Sequence, residues 1–185
     1  MFIEAIVLGV ILGYLRGGKI NNLNRIELRF PVALIATFII EIILRLYSVN
    51  FNNSIANLIF DNYMYIHIVF YIIVIAILTA NDKLKYMKII QGGYILNLLP
   101  MMFNGGKMPI SESALIRVGQ SDMISFLKEG LIPTHQLIDS STRFWQLSDF
   151  IPMKYPIAKV ISPGDIVLSL GLILFIYHNM KSKEV

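Results

Sequence analysis

The sequence predicts an all-α integral membrane protein of five transmembrane helices, with a helical extracytoplasmic cap between the fourth and the fifth. Three observations lead there. Of the 185 residues, 56% are hydrophobic and only 15% charged, whereas a soluble domain carries roughly 25% charged residues. The mean hydropathy is positive, +0.65. The apolar residues also gather into long blocks, as a chain that crosses hydrocarbon requires.

The blocks fall at residues 2–15, 31–48, 63–80, 87–103 and 163–180. An untilted span needs about 20 residues, so the first and fourth are short and either start beyond the apolar core or are interrupted. The N-terminal block lacks the basic flank and small-residue cleavage site of a signal peptide, and is read as a retained span. The chain is a single membrane domain, and residues 104–162 form its cap.

Charge orients the helices. Arg16, Lys19, Arg25 and Arg29 follow the first block; Lys83, Lys85 and Lys88 follow the third; Lys181 and Lys183 lie in the tail. The stretch VNFNNSIANLIFDN, between the second and third blocks, has no lysine or arginine. Basic loops stay in the cytoplasm, which puts the N-terminus outside and the C-terminus inside a bacterial cytoplasmic (inner) membrane. The net charge of +4 is spent on these loops. No continuous basic face appears, so nucleic acid is not a partner. The chain has no cysteine, which excludes disulfides, zinc–thiolate sites and thiol nucleophiles.

Within residues 104–162, Phe126, Phe144, Trp145 and Phe150 argue for a folded segment rather than a mobile loop. Ser111-Glu112-Ser113 opens a short helix ending near Gly119. Ser121-Asp122 opens a second, closed by Gly130.

Charged residues inside spans mark function by default, because hydrocarbon penalises them. Here they collect on one side. Glu4, Glu41, Arg45, His67, Asn104, Lys107 and Asp165 all fall in the outer half of this topology; Arg16 and His178 fall at the inner boundary. Glu41 and Arg45 are four apart with the acid first, the spacing that lets them pair on one helix face. The plainer reading has Arg45 reaching to the interface and Glu41 only pairing with it. His67, with His135, Asp149 and Asp165, offers imidazole and carboxylate. No HExxH-type spacing occurs, and neither metal nor cofactor is assigned. No nucleophile elbow and no P-loop appear.

The fourth block ends in FNGGKMP. Gly105 and Gly106 open backbone conformations closed to other residues, and Pro109 stops a helix and extends Met108. The stretch reads as a helix C-cap, or as a site in which Asn104, Lys107 and exposed amides meet an anionic head group. The first block ends similarly, in LRGGKI. Two short segments of opposite orientation are what an inverted repeat leaves, but little else matches between the halves, and coincidence is the reading adopted. Ser162-Pro163-Gly164-Asp165 reads as a helix start, with Asp165 either capping or facing a pocket.

In order, NGGKMP, His135, STRFWQLSDFIP and SPGDIVLSLG resemble an uncharacterised family of small multi-spanning membrane proteins from clostridia and related bacteria. That family is marked by an NGGxMP…H…LGD…SxGD run. An early RGG, followed by NL and R, is similar to its first loop. The likeness runs from about Gly13 to Gly171 and implies Asn104, Gly105, Gly106, Met108, Pro109, His135, Thr142, Asp149, Pro152, Gly164 and Asp165 as the family's positions. Ser148 departs from the pattern, which has glycine there. The resemblance implies no activity.

The expected function is binding of a lipid or other amphipathic small molecule in an outward-opening polar pocket, by a binding, transport or accessory subunit. Its partners are membrane lipids and another membrane protein subunit. The ligand-facing candidates are Glu41, Arg45, His67, Asn104, Lys107, His135, Asp149 and Asp165, on a backbone turned by Gly105, Gly106, Pro109 and Gly164. An intramembrane enzyme acting on a lipid-linked substrate and a structural or assembly protein are the rivals.

Overall fold

Runs of apolar residues with helix-compatible side chains become helices over nearly the blocks that the sequence marks. The computed structural model describes residues 1–181; Lys183 lies outside them. The long helices are α1 (Phe2–Leu15), α2 (Pro31–Asn50), α4 (Tyr63–Ala80), α5 (Met87–Phe103) and α8 (Pro163–Met180), with a short α3 (Ser54–Asp61) between α2 and α4. Helices α2, α4 and α8 are long and apolar enough to cross a membrane; α1 is apolar but shorter. Large apolar side chains such as Val32, Ile35, Ile43, Val69 and Ile72 are more than half exposed. In water such helix faces would be unstable; against lipid they cost nothing.

Helix α8 is the central post, packed against α5 and α1, while α2 packs on α4. The main core joins Val74, Leu78, Ile90, Tyr94, Leu168 and Phe175 with their neighbours. Small residues let the backbones close. A Cβ on Gly93 would lie 2.6 Å from Leu168 N, and one on Gly171 2.8 Å from Ile90 N. Asn81 ties the loop before α2 to the end of α4, accepting from Arg29 N at 2.7 Å and donating to Arg29 O at 3.0 Å.

The stretch between the second and third apolar blocks, expected as a loop, contains α3. Its start is fixed by Asn53, whose side chain accepts from Ala56 N at 2.9 Å.

Residues 104–162 contain the two expected short helices, α6 (Glu112–Arg117) and α7 (Asp122–Lys128). Ser111 caps α6 by accepting from Ala114 N. The chain is mostly helical, but the all-α expectation is corrected here. Four short strands form: β1 (Met108–Ile110), β2 (His135–Leu137), β3 (Ile151–Met153) and β4 (Lys159–Ile161). β1 pairs parallel with β2, and β3 antiparallel with β4. The physical reason is local. Pro109 and Pro152 forbid helix and extend the residues before them. The buried backbone of β1 must then find hydrogen-bond partners in another segment. A second core of Ile110, Leu115 and Leu127 holds this region together.

Candidate functional site

The turn at FNGGKMP is both a helix stop and the start of a strand. Gly106 N donates to Met101 O at 2.8 Å, six residues closing on one as in a Schellman turn. Gly105 and Gly106 have φ of 65° and 71°, and a side chain at Gly106 would collide with Met64 on α4. Asn104 is buried and saturated. Its amide donates to Pro100 O at 2.6 Å and Arg143 O at 2.7 Å, and its oxygen accepts from Arg143 N at 2.9 Å. It clasps the helix end to a distant loop.

Emerging from this turn, β1 is seated between two partners. Met108 pairs with His135 on one side, and Ile110 bridges to Asp149 on the other. Asp149 N donates to Pro109 O at 2.9 Å, and Ser111 N to Asp149 O at 2.8 Å. The two side chains meet across β1, with His135 Nε2 3.5 Å from Asp149 Oδ2. Burial raises the Asp149 carboxyl pKa, and the hydrogen bond from His135 opposes that rise. His135 Nδ1 lies 2.8 Å from Thr134 Oγ1. Ser148, where the resemblance expects glycine, is fully buried with an ordinary φ of −82°, so no glycine is needed there.

Asp165 is held at the start of α8. Its backbone N–H donates to Ser162 Oγ at 2.9 Å, and Asp165 Oδ2 accepts from Ser162 N at 3.3 Å, a capping box. Asp165 Oδ1 also accepts from Asn97 Nδ2 at 3.0 Å, while Ser162 Oγ donates to Asn97 Oδ1 at 2.7 Å. Gly164 permits this: a Cβ there would overlap Asn97.

From α2, the Glu41 carboxylate meets His67 Nε2 of α4 at 3.2 Å. The expected Glu41–Arg45 pair is corrected: no ion pair closes between them within 4.0 Å. The adjacent helix presents an imidazole to Glu41, whereas Arg45, one turn along, is exposed.

These groups line one cavity of about 320 Å³: Glu41, Arg45, His67, His135, Asp149 and Asp165. Asn104 and Lys107 do not line it. Asn97, Tyr71 and Thr134 do, and the sequence reading missed them. Asn97 had a signal, as an amide inside an apolar run; Tyr71 had none, since tyrosine is ordinary in such a helix. Adjoining the first cavity is one of about 180 Å³, which shares Glu41, His67, Tyr71, Asn97 and Asp165 with it. A third, of about 340 Å³, shares Phe2, Phe38, Val74, Tyr94 and Leu168 with the second. Its walls are apolar except for Asn81 and the tyrosine hydroxyl. The three form a sequence from charged to apolar.

Three apolar helices of bilayer length, with a polar cavity beside a folded strand-and-helix segment, point to a helical membrane protein. More closely, the model of a family of unknown function, DUF5317, matches residues 25–177, and the chain belongs to that family. No curated protein and no solved structure matches it.

Proposed function

We propose that this protein binds a lipid or another amphipathic small molecule, as a binding, transport or accessory component of the bacterial cytoplasmic membrane. In this reading α1 and α5 cross the bilayer with α2, α4 and α8, giving five spans. The N-terminus faces outward, the C-terminus faces the cytoplasm, and residues 104–162 cap the outer end. The observation that carries the proposal is the graded series of cavities. The charged cavity of about 320 Å³ leads by shared walls to the apolar one of about 340 Å³. A head group fits the charged end of the series and a hydrocarbon chain the apolar end, the division of polar and apolar contacts expected of an amphiphile site.

Native mass spectrometry of the protein released in mild detergent tests this. A retained lipid-sized adduct is expected, and Leu172→Trp, which fills the apolar cavity, should remove it. A wild-type protein without adduct, or an adduct indifferent to Leu172→Trp, would overturn the proposal.

A second reading rests on one observation: two histidine–carboxylate pairs, His67–Glu41 and His135–Asp149, face the same cavity. Such pairs support general acid–base chemistry on a lipid-linked substrate. Turnover of a lipid-linked substrate that is lost in His135→Gln, with folding intact, is the outcome that favours it.

A further inference from the structure

The middle cavity has a composition of its own. Five aromatic rings line it: Phe2, Phe38, Phe70, Tyr71 and Tyr94. Four of its side chains are already in ring contact, His67 with Tyr71 at 5.3 Å between centroids, Tyr71 with Tyr94 at 5.6 Å and Tyr94 with Phe2 at 6.4 Å. Glu41 and Asp165 supply two carboxylates, and among the described residues no lysine or arginine lines the space. Asp165 is fixed by Asn97 and by the Ser162 amide, neutral donors that orient a carboxylate without cancelling its charge. His67 is 8% exposed, and its Nδ1 closes no hydrogen bond by distance and angle, although the Gly106 carbonyl bears on it.

Aromatic faces carry partial negative charge and attract cations held within about 6 Å, most strongly where water is excluded. Rings around fixed carboxylates are therefore the chemistry that recognises an ammonium group. The wider cavity above points the same way: Asp149 adds a third carboxylate, against the single guanidinium of Arg45. A phosphate or sulfate head group would meet three carboxyl groups against one guanidinium, with the His67 and His135 imidazoles each already set beside one of those carboxyls.

We infer that the middle cavity is a binding site for an ammonium head group, so that the amphiphile this protein takes is cationic at that end, with its chain in the adjoining apolar cavity. This rests on the amphiphile reading above and narrows it to one class of ligand.

The experiment is a competition on the full chain in uncharged maltoside micelles. Two probes share one alkyl chain; one ends in trimethylammonium, the other in its neutral isostere, tert-butyl. A third carries a terminal sulfate. Bound probe is extracted and quantified. The ammonium probe should be retained about tenfold over the tert-butyl probe, and the sulfate should be excluded. Tyr71→Leu and Glu41→Gln should each bring the ratio towards parity, while Glu129→Gln, at an exposed residue that lines neither cavity, should leave it unchanged. The wild-type ratio decides the matter even if a cavity variant does not fold. Parity between ammonium and tert-butyl, or preference for sulfate, overturns the inference and leaves amphiphile binding standing. Retention of none of the three removes both.

Discussion

At Glu41 the carboxylate faces an imidazole on the next helix rather than the guanidinium one turn along its own. The difference is measurable, because groups in contact couple and groups apart do not. In a double-mutant cycle, Glu41→Gln with His67→Gln should show a coupling of roughly 0.5–3 kcal/mol in denaturant or thermal unfolding. The cycle of Glu41→Gln with Arg45→Leu should show a smaller coupling, because no ion pair closes between those two. The reverse order of couplings would return Arg45 to the pair. Asp149 gives a second test. Its carboxyl pKa lies above the ordinary 3.8 because it is buried. The folded protein thus keeps this proton to higher pH than the unfolded chain does. The stability linked to it is complete below the ordinary value and is lost as pH rises through the raised one. Asp149→Asn has no such proton to lose. The melting temperature of the variant minus that of the wild type should therefore grow as pH rises above about 4; a flat difference would refute the linkage.

Among the elements, the contact of α5 with α8 depends on the absence of a side chain at Gly93. A Cβ there would sit 2.5 Å from Leu168 Cβ and 2.6 Å from its backbone nitrogen, so the helices would have to part. Gly93→Ala should destabilise by roughly 1–3 kcal/mol. Its neighbour is an internal control: a Cβ on Gly92 meets nothing within 4 Å, so Gly92→Ala should be neutral or slightly stabilising. Equal effects in thermal unfolding would show that α5 and α8 do not meet as described. This element scale also shows what a sequence can disclose. Helices α4, α5 and α8 coincide with the apolar blocks 63–80, 87–103 and 163–180, because a long apolar run is a local property. The capping box at Ser162 and Asp165 is equally local, as is the glycine turn after α5. The strands were hidden: three residues are too few to show an alternating period. The meeting of His135 with Asp149 was visible only as shared membership of a pattern. It arises because β1 lies between them, a non-local pairing that no spacing encodes. Glu41 with His67 was hidden for the same reason, while the i, i+4 spacing to Arg45 was in plain view and misled.

For the molecule as a whole, the orientation across the bilayer is the claim on which the cavity's direction depends. If α1, α2, α4, α5 and α8 all cross, the chain turns at residues 16–30, 51–62, 81–86 and 104–162, alternately on the two sides. The first and third of these stretches hold Arg16, Lys19, Arg25, Arg29, Lys83 and Lys85, whereas the second holds no lysine or arginine. In the proposed orientation this asymmetry keeps the basic stretches in the cytoplasm. The polar cavity is built from residues 134, 135 and 149 together with Asp165 at the start of α8, so it opens on the side of residues 104–162. Glu4, near the start of α1, pairs with Lys159 of β4, which places the N-terminus on that same side. The chain has no cysteine, so each introduced cysteine reports alone. In intact cells a membrane-impermeant maleimide should label cysteine placed at Asn53, in the stretch before α3, and at Ser125, on α7. Cysteine at Asn24, between α1 and α2, should react only after the membrane is opened. Labelling of Asn24 alone would invert the protein and turn the cavity towards the cytoplasm. Labelling of Asn53 without Ser125 would mean that α4 and α5 do not form a returning pair, and the five-span reading would fall with it.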